Sequence, residues 1–96
     1  MKFEWDENKR IINLQRHGFD FADAWRVFES YRVIFIDGRF DYGEHRLVTI
    51  GLLSERIVTT VYTEDDEIIR IISLRKATKN EQTKYNKGIA NRLGKN

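Results

Sequence analysis

The sequence contains no cysteine, no proline and a single methionine, at position 1. Without cysteine there is no disulfide, no thiolate nucleophile and no zinc–thiolate site, which suits a reducing compartment. Without proline, several strands can run side by side uninterrupted. No apolar run approaches the roughly 20 residues that cross a bilayer, and charges stand at Lys2, Glu4, Asp6 and Glu7. Neither export nor membrane contact is expected, and the expected location is the cytoplasm. With 96 residues the chain should form one domain, too small for a deep enclosed pocket, so an active site would be an open groove. No clustered ligand set suggests a metal, and no motif suggests a cofactor.

A net charge of +2 says little, but its distribution is uneven. Residues 75–96 hold seven Lys or Arg and one acid, a net of +6, whereas residues 1–74 hold ten cations and fourteen acids, a net of −4. The basic end is where phosphate contacts are expected, although such segments also serve only to keep a protein soluble.

Asp6 is a good N-cap, and the stretch from there to His17 carries Ile11, Ile12 and Leu14 before Gly18 offers a stop; this predicts a first helix. Asp20 caps a second, with Phe21, Ala24, Trp25 and Phe28 at i, i+3, i+4 and i+7 on one face. From position 32 the period changes, and β-branched and aromatic residues predict strands over 32–37, 45–53, 56–64 and 67–75. Ser54-Glu55 and Asp65-Asp66 are short turns, so the last three strands should form an antiparallel meander. Thr78 and Glu81 have the spacing of a capping box for a short third helix ending near Tyr85, with Gly88 as its stop. The expected architecture is α+β: a four-stranded antiparallel sheet with two N-terminal helices on one face and a short C-terminal helix. The domain would span 1–88, and 89–96 would be a basic tail. Trp5, Trp25, Phe21 and Phe28 are expected to join both helices to the sheet.

Phe3-Glu4-Trp5-Asp6-Glu7-Asn8-Lys9, then Asn13, His17-Gly18, Phe21 and Ala24 form an N-terminal pattern. It continues through Glu44-x-Arg46, Thr49-Ile50-Gly51, Val61-Tyr62-Thr63-Glu64 and Arg70 to Thr78, ending at Glu81 and Tyr85. In order and spacing this resembles the BrnT-type toxins of bacterial toxin–antitoxin pairs, over nearly the whole chain before Gly88. The resemblance implies a RelE-like ribonuclease fold and inhibition of translation by RNA cleavage. It also implies neutralisation by a BrnA-like antitoxin that binds operator DNA, in a complex that can contain a toxin homodimer.

RNA cleavage without a metal uses the adjacent 2′-hydroxyl as nucleophile, and the protein supplies a base, a proton for the leaving 5′-oxygen and positive charge for the phosphorane. Arg70 stands among isoleucines. By strand alternation it shares a face with Ile68, Ile72 and Leu74, so it snorkels, pairs with a carboxylate or points into a phosphate-binding groove. Arg75 and Lys76 leave the last strand for opposite faces and are candidates for the scissile phosphate and the flanking backbone. Glu44, His45 and Arg46 open the second strand. His45 is a candidate acid or base, and Glu44 with Arg46 is either a base and clamp or a structural ion pair. Tyr85, among lysines, is a candidate for stacking on a base, whereas Tyr62 reads as packing. Lys79, Lys84 and Lys87 are candidate RNA-backbone contacts. Two other functions use the same surface: a non-catalytic nucleic-acid-binding module, and a degenerate toxin acting in an autorepressing complex.

Overall fold

The computed structural model describes residues 1–38 and 46–94. Its elements are strand β1 (Lys2–Trp5), helix α1 (Glu7–His17), a 3₁₀ helix (Phe21–Phe28), strands β2 (Val33–Asp37), β3 (Arg46–Leu53), β4 (Arg56–Asp65) and β5 (Ile68–Lys76), and helix α2 (Lys79–Arg92). The strands form one sheet in the order β1-β5-β4-β3-β2. β1 runs parallel to β5 and the other neighbours are antiparallel. The sheet is therefore five-stranded and mixed, not four-stranded and antiparallel. Helices cover both of its faces rather than one.

The cap signals act locally as their chemistry dictates. The Asp6 side chain accepts from the Lys9 N–H, and Gly18 closes α1 in the left-handed region at φ 78. Asp20 accepts from the Ala22 N–H, but the element that follows is a 3₁₀ helix. With three residues per turn, Phe21, Ala24 and Val27 form one buried row, and Trp25 is turned outward, 42% exposed. Trp25 thus leaves the expected aromatic cluster, while Phe21 and Phe28 stay in it and Trp5 packs against it. The last two strands meet one residue later than expected, through Asp66 and Glu67, both at positive φ (51 and 69), as a tight two-residue hairpin requires.

Alternation along β4 assigns the two cores. Val58 and Tyr62 point toward the 3₁₀ helix and join Phe21, Val27, Phe28, Ile69, Ile71 and Leu74. Ile57 points the other way, where Ile50, Ala77 and Tyr85 form the core under α2, flanked by Tyr31, Val33, Leu52 and Ile89. The helix expected to stop at Gly88 continues to Arg92. A side chain at Gly88 would run into the Tyr31 hydroxyl and ring, so glycine there lets α2 lie close to Tyr31.

A bulge interrupts β5. Tyr62 pairs with Ile71 and Val61 with Ser73, so Ile72 has no partner on β4. On a regular strand Arg70 and Arg75 would face opposite sides. With one extra residue between them, Arg70 opposite Thr63 and Arg75 opposite Thr59 both face the α2 side, and Leu74 goes to the opposite core. The expected grouping of Arg70 with Leu74 on one face is corrected by this bulge.

Candidate functional site

Beyond the reach of α2, the same sheet face forms an open groove of about 250 Å³. Val48 and Val61 make its floor, Phe35, Asp37 and Gly38 of the β2 end one wall, and Arg75, Glu81 and Lys84 the other. The Lys84 ammonium lies 5.0 Å from the centre of the Phe35 ring, over its face, which draws the cation to the groove rim.

Arg75 is the most closely held of these groups. Its two terminal nitrogens donate to the two carboxylate oxygens of Glu81 at 2.8 and 3.0 Å, and one also donates to the Lys76 carbonyl at 3.3 Å. Glu81 accepts further bonds from the Thr59 hydroxyl and the Thr78 N–H, at 3.0 and 2.8 Å. It also completes the capping box at the start of α2. Burial pushes the Glu81 carboxyl up, but the bonds from Arg75, the Thr78 N–H and Thr59 outweigh it and hold the pKa at about 2. A bidentate carboxylate of this kind fixes the plane of the guanidinium, and both groups line the groove. Glu81 was visible in the sequence as a helix cap; its second task, orienting Arg75, depends on β5 ending where α2 begins.

Arg46 opens β3 in register with Asp37 on β2, on the groove side of the sheet. Glu44 and His45 lie outside the described residues. Arg70 donates to Glu4 at 2.6 Å in a half-exposed pair, the carboxylate option among the three open to it. Its partner comes from β1, in direct register with it. Four paired β4 positions of about 3.3 Å separate Arg70 from Arg75, so the two cations mark the far edge and the near wall of one face, roughly 13 Å apart.

The remaining candidates separate. Lys76 does leave β5 on the opposite face from Arg75, and it lines a different cleft with His17, Phe19, Arg56 and Gln82. Tyr85 is 4% exposed and packs with its ring 5.8 Å from that of Tyr31. It is a core residue, unavailable for stacking on a base, and burial raises its phenol pKa. Its neighbours Lys84 and Lys87 are exposed while Tyr85 itself turns into the core, which a reading of local composition overlooks. Lys79 and Lys87 are exposed on α2. Asn13, part of the N-terminal pattern, was not expected to have a structural task, yet it is buried and ties α1 to β5.

Comparison with known proteins decides what this architecture belongs to. Residues 5–81 match the family model described as the ribonuclease toxin, BrnT, of type II toxin–antitoxin systems. The chain belongs to the BrnT toxin family. It is also similar to the Brucella abortus ribonuclease toxin BrnT, known from a crystal structure at 1.1 Å resolution. The two share 33% identity and superpose with a TM-score of 0.66, over 82% of this chain and 99% of that one. No curated protein sequence matches. The stretch shared with the BrnT family includes Arg46, Arg70, Arg75 and Glu81, and stops before Lys84 and the rest of α2. Membership makes the chain the toxin, a ribonuclease, of a type II pair, acting on RNA and controlled by a cognate antitoxin. Among the described residues no helix is long and apolar enough to cross a membrane.

Proposed function

We propose that the chain is a metal-independent endoribonuclease that halts translation by cleaving RNA in the cytoplasm, and that a BrnA-like antitoxin neutralises it. The observation that carries this reading is the Arg75 guanidinium, held bidentately by Glu81 at the wall of an open groove. In the reaction a 2′-hydroxyl oxygen attacks the adjacent phosphorus, the 5′-oxygen leaves with a proton, and a 2′,3′-cyclic phosphate remains.

Arg75 stabilises the phosphorane. Of its five N–H donors three are engaged with Glu81 and the Lys76 carbonyl, leaving two for phosphate oxygens. Arg46 and Lys84 supply further positive charge. Glu44 and His45, the two residues before Arg46 in sequence, are assigned as base and acid. Arg70 contacts the flanking backbone, with Lys79 and Lys87 adding weaker phosphate contacts. Tyr85 takes no part, and Lys76 acts away from the scissile bond.

The test is incubation of the purified chain with single-stranded RNA in excess chelator. Cleavage leaving 2′,3′-cyclic or 3′-phosphate ends is expected. A strict need for added magnesium overturns the mechanism, and tight binding with no cleavage turns the reading to a binding module.

A further inference from the structure

The cleft that receives Lys76 is larger than the groove, about 570 Å³. It is bounded by the end of α1 at His17, the β3–β4 hairpin at Arg56 and the first turn of α2 at Gln82, and Phe19 and Ile57 give it apolar surface. The Arg56 guanidinium lies 5.7 Å from the centre of the Phe19 ring, over its face, so this cation is held at the cleft by the aromatic floor. Glu55 is the single acid there against Arg56 and Lys76. The volume, the mixed apolar and polar lining and the excess of cations suit a nucleotide with its phosphate.

Two adjacent pairs of residues connect the cleft to the groove. Arg75 lines the groove and Lys76 the cleft; Glu81 lines the groove and Gln82 the cleft. The ridge between the two sites is only the end of β5 and the first turn of α2, where Lys79 is exposed. We propose that the cleft is a second RNA subsite, holding the backbone of the strand that leaves the groove and passes over the start of α2. The inference rests on the ribonuclease reading and extends its substrate from a single scissile step to a strand several nucleotides long. Gln82 donates to the Ala77 carbonyl and keeps its own amide oxygen as an acceptor for a base edge.

The test measures binding without cleavage, by fluorescence anisotropy with 2′-O-methyl RNA as a tetranucleotide and as a dodecanucleotide. The wild-type chain is expected to bind the longer strand more tightly. The Arg56→Ala/Lys76→Ala double variant should lose about tenfold on the dodecanucleotide and little on the tetranucleotide. Its salt slope should be shallower by about 1.4, the loss of two phosphate contacts on a single strand. Arg56→Lys should keep the slope. Glu55→Lys should raise affinity for the dodecanucleotide, a gain that misfolding cannot imitate. Unchanged dodecanucleotide affinity and slope in the folded double variant, or no gain from Glu55→Lys, overturns the proposal. So does a double variant that keeps RNA binding but loses affinity for polyglutamate, which would assign the cleft to an acidic protein segment. RNA that is bound with this length dependence but never cut overturns the ribonuclease reading and leaves the subsite standing.

Discussion

The carboxamide of Asn13 bonds to both backbone groups of Leu74: its nitrogen donates to the Leu74 carbonyl at 2.8 Å, and its oxygen accepts from the Leu74 N–H at 3.2 Å. The same nitrogen donates to the Phe19 carbonyl at 3.0 Å. β1 pairs with β5 only as far as Ile71, so at Leu74 the outer edge of β5 has no strand beside it. One side chain from α1 continues the ladder there.

Asn13→Leu should therefore leave three buried backbone groups without partners, with a loss of roughly 2 to 4 kcal/mol of stability. Asn13→Asp keeps the acceptor and removes both donors, so it should also destabilise. Urea unfolding followed by circular dichroism measures both.

Glu81 makes stability depend on pH. Its carboxyl titrates at about 2 in the folded chain against 4.5 ordinarily, so the stabilisation is complete above pH 4.5 and is lost as pH falls toward 2. The contribution is at most about 3 kcal/mol. Glu81→Gln should flatten the stability profile in that window; a profile unchanged by the substitution would count against the Arg75–Glu81 pair.

Arg75→Ala should lower RNA cleavage by two to three orders of magnitude, as the loss of a transition-state charge contact costs about 3 to 4 kcal/mol. Arg75→Lys should recover only part, because an ammonium cannot hold two oxygens in a plane. Arg70→Ala removes a half-exposed ion pair and should change stability by less than about 1 kcal/mol, with its effect on cleavage falling on KM. Rates at saturating RNA, with melting curves of each variant, separate these outcomes.

At Gly88 alanine is the better helix former by about 1 kcal/mol, yet Gly88→Ala should destabilise by about 1 to 3 kcal/mol because the methyl group displaces Tyr31. The near-ultraviolet signal of Tyr31 and Tyr85 should change with it.

Local chemistry was legible in the sequence and geometry between distant segments was not. Caps at Asp6, Asp20 and Thr78, and strands β2 to β5 to within one residue, followed from signals only a few positions long. β1 was missed because it is four residues long and its parallel partner lies more than sixty positions away, although Lys2-Phe3-Glu4-Trp5 alternates as a strand does. Trp25 was misplaced because a period of 3.6 and one of 3.0 diverge by the second turn. For the site, the cations Arg46, Arg75 and Lys84 could be named in advance; that Arg75 faces the groove, that Glu81 aims it and that Tyr85 is buried depend on tertiary packing.

The unpaired Ile72 makes strand register part of the chemistry. Were Ile72 drawn into the ladder, β5 would run as an even strand and its two halves could no longer both keep their sides. Holding the first half in place would turn Arg75 away from the groove and put Lys76 there; holding the second would turn Ile69 and Ile71 out to water. Deleting Ile72 instead restores an even ladder with Arg70 still opposite Thr63 and Arg75 still opposite Thr59, so this one-residue deletion should keep both arginines on the groove face, whereas a change that pairs Ile72 at full length should cost as much as loss of Arg75 itself.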